Sequence, residues 1–337
     1  MIIKAIKQLK EYIVGYKFIK YIVLCLLLFL FLFSYVFFYY SKLKQDTYFK
    51  VKNGDNLNSI ISLLSKENII YSKFLFKFFM KITFLSDNVK YGDYIIPANS
   101  SLWTVRKIIT SGINFQYSIT IPEGLTIRQI KELLNNDNRL IGNISVKIND
   151  GDLIPSTYFF ERNTTRNSII VKMKEAMKQI INNEWNKRTV DNNLIKTKKD
   201  AIILASIIEK ETSIDSEKPI VSSVIINRLR NKMKLQVDPT VVYAVTDGYG
   251  HMRGKALYNN HLFIKNPYNT YLYYGLPKGA ICNPGIQSIR AALNPSNTKY
   301  LYFVANGKGG HVFSETLDEH EKNRDIWRQY KKQINKK

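Results

Sequence analysis

From Tyr21 to Tyr40 the chain reads YIVLCLLLFLFLFSYVFFYY, a run without a charge. About 20 such residues rise roughly 30 Å as a helix, the thickness of a bilayer's hydrocarbon core. Tyrosines stand at both ends of the run, where interfacial anchors are found. A run of this kind confines whatever follows it to one side of a membrane, unless it is cut away. A cleaved signal peptide would have a shorter apolar core followed by a small-x-small site. SYVFFYYSK offers no such site, so an uncleaved transmembrane helix over 21–40 is expected. Lys4, Lys7, Lys10, Lys17 and Lys20 precede it against Glu11, while Lys42, Lys44, Lys50 and Lys52 follow. The positive-inside rule leans towards a short cytoplasmic segment over 1–20 and an extracytoplasmic remainder.

The formal charge of +23 is compatible with a nucleic acid, an anionic membrane surface or an acidic polymer as partner. The lysines, however, are spread along a chain rich in Lys, Ile, Asn, Tyr and Phe, and form no block, which reads as composition rather than as a binding patch. Cys25 and Cys282 give neither a disulfide framework nor metal spacing. His251, His261, His311 and His320 also lack metal-ligand spacing and read as structural or exposed. No metal or other cofactor is expected.

Residues 41–47 form a polar linker. In YFKVKNGDNLNSIISLLSKENII the pattern predicts a strand, a turn at Gly54-Asp55 and a helix from Leu57. VKNGDNLNSI resembles the opening of the LysM glycan-binding module. The pattern returns as ITIPEGLTIRQIKELL, with Gly124 matching Gly54, Ile127 matching Leu57 and Ile130 matching Ile60. Such repetition points to a modular region. Between the copies, YGDYIIPANSSLWTVRKIITSG predicts another strand, turn and helix. GDLIPSTYFF predicts a turn and strand leading into a helix near Ser168 to Trp185. The polar residues 186–199 form a boundary. The expected organisation is therefore a subdomain over 47–115, a second α/β subdomain over 116–195 and a catalytic domain over 196–337.

Ala201 to Tyr243 carries the chemistry. Ile202, Ile203, Leu204, Ala205, Ile207 and Ile208 predict a helix buried on most sides. Glu209 and Glu211 end it, and at most one of them can face a given cleft. A carboxylate at the tip of a buried helix has a raised pKa and can serve as an acid near neutral pH. Asp215 or Ser216 can cap the next helix, with Pro219 in its first turn and Ile220, Val221, Val224, Ile225 and Leu229 as its apolar stripe. LQVDPT reads as a polar loop. Asp238 within it is either a substrate-facing charge or an Asp-Pro turn initiator. The Asn-, Tyr- and Gly-rich stretch around 266–285 suits the rim of a groove. Ser288 to Leu293 predicts a short helix and Tyr300 to Ala305 a strand, with a charged helix at the end.

ASIIEKET, VSSVIINRLRNKMKLQVDPTVVY, NPYNTYLYYGLPKGAICNPG and YLYFVANGKGGHVFSET stand in the order and spacing of the endolytic murein transglycosylases, the MltG or YceG-like family. IPEGLTIRQI and LIPSTYFF match upstream segments of that family, so the resemblance runs from about residue 45 onward. It implies an α+β chain: a transmembrane helix, LysM-like α/β modules and a lysozyme-like lytic transglycosylase domain. It further implies a single-pass anchor in the cytoplasmic (inner) membrane, peptidoglycan glycan strands as substrate and penicillin-binding synthases as neighbours. The implied reaction cuts the MurNAc-β-1,4-GlcNAc bond without water and leaves a 1,6-anhydro end. In lysozyme-like transglycosylases a small hydroxyl residue follows the catalytic Glu, which selects Glu211, with Thr212 beside it, over Glu209. Gln236 and Asp238 are the expected sugar contacts, and Asn269, Thr270 and Tyr271 the groove wall. A non-catalytic glycan-binding scaffold and a hydrolytic muramidase using Asp238 are the alternatives. A nucleic-acid partner has no use for the anchor or the sugar-enzyme blocks.

Overall fold

The computed structural model describes residues 2–83, 89–113, 115–191, 193–252, 254 and 256–334. They form two compact units, Met1–Tyr117 and Ser118–Lys337.

In the first unit, helix α1 (Ile2–Phe38) contains the stretch Lys17–Phe38, long and apolar enough to cross a membrane. The helix stops at Phe38, so Tyr39 and Tyr40 lie just past its end rather than within it. Strand β1 (Thr47–Val51) follows, then α2 (Leu57–Lys66), α3 (Lys73–Ile82), β2 (Gly92–Ile96) and α4 (Leu102–Ser111). β1 and β2 pair antiparallel with Phe49 opposite Tyr94. Each helix opens on a side-chain cap, Asn56, Ser72 or Ser101, which accepts a bond from a backbone N–H of the first turn. The helices then bury apolar residues at helical spacing: Ile60, Ile61 and Leu64, Phe76, Phe79 and Met80, and Leu102, Val105 and Ile109. These meet Phe49, Val51, Tyr94 and Ile96 of the strands, and Phe37 from the end of α1, in one core.

The second unit opens within β3 (Tyr117–Thr120), which pairs with β4 (Thr157–Phe160), with α5 (Ile127–Asn136) between them in sequence. A capping box of Thr126 and Gln129 starts α5. Helices α6 (Arg166–Trp185), α7 (Lys198–Glu211), α8 (Lys218–Arg230) and α9 (Asp238–Val245) follow. A short 3-10 helix (Asn259–Phe263), α10 (Ile286–Leu293), the antiparallel pair β5 (Tyr302–Ala305) and β6 (His311–Ser314), and α11 (Leu317–Ile334) complete it.

Helix α7 is the centre of this unit. Ala201, Leu204, Ala205, Ile207 and Ile208 are buried against Met177 and Ile181 of α6, Val221 and Ile225 of α8, and Ile289 and Ala292 of α10. Residues on both sides of the 195/196 division thus share one core. Two local expectations change. The N-cap of α8 is Glu217, not Asp215 or Ser216, and it makes no side-chain cap bond. LQVDPT is not wholly a loop, because Asp238 opens α9 with Pro239 in its first turn, where proline's missing N–H costs nothing.

Candidate active site

Helix α7 ends because Thr212 takes extended backbone and its hydroxyl accepts a bond from the N–H of Ile214 at 3.1 Å. Such a side-chain bond offers the chain a turn in place of another helical step. Glu211, the last residue of α7, is thereby presented to a cavity of about 370 Å³. Helix α8 contributes Val224, Ile225 and Arg228 to its wall, the chain before α9 Leu235 to Val237, and α9 its first residue Asp238. Tyr271, Phe303 of β5 and His320 and Arg324 of α11 close it.

Burial, and then the negative charge of Asp238, push the Glu211 carboxyl up to about 8, against the opposing pull of Arg228. The carboxyl-terminal end of a helix acts in the same direction, since its exposed carbonyls disfavour a negative charge. Glu211 is therefore protonated at neutral pH and able to donate. Arg228 is held by carbonyls: its guanidinium donates to Leu301 at 2.6 Å, Leu235 at 2.8 Å and Lys234 at 3.3 Å, and lies over the Tyr302 ring. The Tyr271 hydroxyl donates to Asp238 at 2.5 Å; burial and this bond push the phenol up. Gln236 adopts φ +53°, a left-handed backbone that costs a non-glycine residue about 1–3 kcal/mol. Thr270 holds it there, accepting the Gln236 N–H on its carbonyl and the Val237 N–H on its hydroxyl. Burial, and then Arg324 and Arg228, lower the pKa of His320. His320 Nδ1 and Arg324 Nε are buried without a hydrogen-bond partner, as polar atoms facing a site that a polar ligand occupies would be.

Glu209 points elsewhere. Its carboxylate accepts from Ser288 Oγ at 2.6 Å and from the N–H of Gly285 at 3.0 Å, and lies 3.8 Å from Lys218 Nζ. Lys218 is buried and also pairs with Asp215 at 2.9 Å and Glu123 at 4.0 Å. Burial and the neighbouring Glu209 raise the pKa of Glu123, against Lys218.

Residues 49–326 match the YceG-like family. The chain belongs to that family. It is 30% identical over 311 residues to an endolytic murein transglycosylase of Bacillus subtilis, covering 83% of this chain and 84% of that protein. It is 25% identical over 319 residues to one of Streptococcus pneumoniae strain D39, covering 81% of this chain and 57% of that longer protein. A crystal structure of a YceG-like protein from Listeria monocytogenes superimposes with a TM-score of 0.51 at 29% identity, covering 82% of this chain and 98% of that one.

In this YceG-like chain, four of the seven residues singled out from sequence, Glu211, Gln236, Asp238 and Tyr271, line one cavity. Thr212, Asn269 and the buried Thr270 do not. Thr212 is buried and donates to Glu217 at 3.2 Å. Asn269 is fully buried, donating to the carbonyls of Leu262 and Ile264 and accepting from the N–H of Tyr271. All three shape the wall from behind, Thr270 through its bonds to Gln236 and Val237. The wall residue that escaped the sequence reading is Arg228. Its signal was present: it continues the buried face of α8 one turn after Val224 and Ile225, where a guanidinium needs a reason. His320, Arg324 and Phe303 carried no local signal. A larger cavity, about 760 Å³, contains Tyr243, Tyr268 and Asp150 but none of the seven. Among the described residues, no group of three or more His, Cys, Asp or Glu side chains is placed to hold a metal ion.

Proposed function

We propose that this chain is a membrane-anchored endolytic murein transglycosylase, with Glu211 as its single acid and base. The observation that carries this reading is a carboxyl at the end of a buried helix, set in one cavity with Asp238, Gln236, Tyr271 and Arg228; burial and Asp238 push it up to about 8. Glu211 donates its proton to the glycosidic oxygen as the bond from the muramyl C1 breaks. The C6 hydroxyl of the same sugar attacks C1, and its proton passes to the Glu211 carboxylate. The products are a free GlcNAc hydroxyl and a 1,6-anhydroMurNAc end, and the enzyme is returned unchanged. The internal nucleophile replaces both water and a second catalytic carboxylate. Asp238, oriented by Tyr271, lends negative charge to the oxocarbenium-like transition state, and Gln236 contacts the sugar.

The anchor is α1, with its N-terminus in the cytoplasm and the second unit outside, in a cytoplasmic (inner) membrane. Residues 47–115 form a LysM-like module, whose strand-helix-helix-strand order, β1 to β2 before α4, fits that reading, and the second unit holds the lysozyme-like catalytic domain. Nascent glycan strands are the substrate, and the penicillin-binding synthases that make them are the neighbours. Asp238 in the same cavity as Glu211 also supports a second reading, hydrolysis of the same bond with Asp238 steering water. Mass spectrometry of the products from purified glycan strands separates them. Anhydromuramyl ends are expected; reducing ends would establish the hydrolase, and uncut strands would overturn both.

A further inference from the structure

Helix α3, KFLFKFFMKI, has three stripes rather than two. Phe76, Phe79 and Met80 enter the core. Lys73, Lys77 and Lys81 recur every fourth residue along a second line. Phe74, Phe78 and Ile82 recur along a third, and they are exposed by 76%, 46% and 54%. The Phe74 and Phe78 rings stack on each other with centroids 6.4 Å apart. Three large apolar side chains in line on the outside of a ten-residue helix form a contiguous patch, which water-facing helices avoid. A lysine row beside an aromatic row is the pattern of a helix lying in a membrane interface, where the rings enter the acyl boundary and the ammonium groups reach the phosphates.

The core of the first unit brings this helix to the end of α1. Phe37, in the last turn of α1, lies against Phe79 of α3, with ring centroids 3.5 Å apart, and 6.0 Å from the Trp103 ring of α4. Phe38 also meets Trp103, and Tyr40 meets Tyr71 just before α3. The outer end of the apolar span is therefore part of the same packed unit as α3 and α4. Trp103 is partly exposed and carries the Arg106 guanidinium 4.1 Å over its ring. This is again a pairing suited to the headgroup layer.

We infer that α3 is seated in the membrane interface beside α1, its Phe74, Phe78 and Ile82 row in the bilayer and its lysine row on anionic lipid phosphates. The inference rests on α1 being the membrane anchor. It makes the first unit a foot fixed on the lipid surface rather than a module swinging on a tether.

The test uses the full chain reconstituted into vesicles of phosphatidylcholine, with and without phosphatidylglycerol. Phe78→Trp adds an indole on the exposed row, and Ile326→Trp adds one on α11 as a water-facing control. The signal of each is its difference from the unsubstituted chain, which retains Trp103, Trp185 and Trp327. The F78W indole is expected to be quenched at least about threefold more than the I326W indole by bromine-labelled acyl chains, and correspondingly shielded from acrylamide. Replacing Lys73, Lys77 and Lys81 together by Gln should remove the dependence of that shielding on phosphatidylglycerol. An F78W indole open to acrylamide and indifferent to brominated lipid would overturn the inference. So would shielding that appears only when glycan strands are added, which would give the face to a sugar polymer. Flotation in alkaline carbonate tests α1 separately. A chain washed off the vesicles would overturn the anchor, and this seat with it, before any quenching is read.

Discussion

Two carboxylates leave the last turn of α7 two residues apart and enter opposite surroundings. Glu209 meets a buried ammonium, a hydroxyl and a backbone N–H at the start of α10. Glu211 is desolvated by burial and faces the like charge of Asp238, with Arg228 as its main counterweight. The first environment solvates a negative charge with fixed donors and makes it a structural tie. The second withholds solvation and favours the protonated carboxyl. The same residue type on the same helix end becomes a brace or an acid according to what the neighbouring segments aim at it.

Glu211→Gln should break the chemical side of this contrast, lowering the rate of glycan cleavage by about 10²–10⁴-fold with the circular dichroism spectrum unchanged. Glu209→Gln should break the structural side instead. Lys218 would keep only Asp215 and Glu123, at a cost of about 2–3 kcal/mol, read as a lower melting temperature with cleavage retained below it. The pH dependence sharpens the contrast. Below the usual carboxyl value of 4.5, Glu211 is protonated folded and unfolded alike, and its ionisation makes no difference to stability. As pH rises towards about 8, only the unfolded chain gains by ionising, so stability falls through this window and levels off above it. Chemical denaturation from pH 5 to 9 should therefore show wild type losing stability relative to Glu211→Gln. Cleavage should have a basic limb near pH 8. Asp238→Asn removes the like charge and should move that limb down by about 0.5–1 pH unit; an unmoved limb would separate Asp238 from Glu211. Tyr271→Phe, which removes one bond to Asp238, should have the smallest effect, about fivefold in kcat/KM.

The two strand-turn-helix copies show how far local sequence reaches. Gly54 and Gly124 both stand at positive φ, +88° and +76°, and a side-chain cap opens the helix after each. Both turns were legible because the residues that make them are adjacent. Their surroundings were not. Nothing lies within 4 Å of where a Cβ on Gly54 would be, whereas one on Gly124 would meet Glu209 and Lys210 of α7. The Gly124 N–H donates to the carbonyl of Asn283, and the Asn283 side-chain amide donates to Leu125. These are partners more than a hundred residues away, and no local pattern names them. Asp238 shows the same limit at shorter range. Asp-Pro marks a change of direction, but whether it closes a loop or opens a helix depends on Thr240 and Thr270, whose hydroxyls meet at 2.9 Å inside the protein.

What the sequence determined by itself is what depends on neighbours along the chain: an apolar run long enough to span a bilayer, helix periods, turn glycines and an acid at the end of a buried helix. Folding decided which of two acids faces a cavity, that Thr212 and Asn269 support the wall rather than form it, and that Arg228, His320 and Arg324 complete it. It also brought the aromatic and lysine rows of α3 to the end of the apolar span. Each of these depends on desolvation and charge supplied by distant segments, and those fields exist only once the segments have packed together.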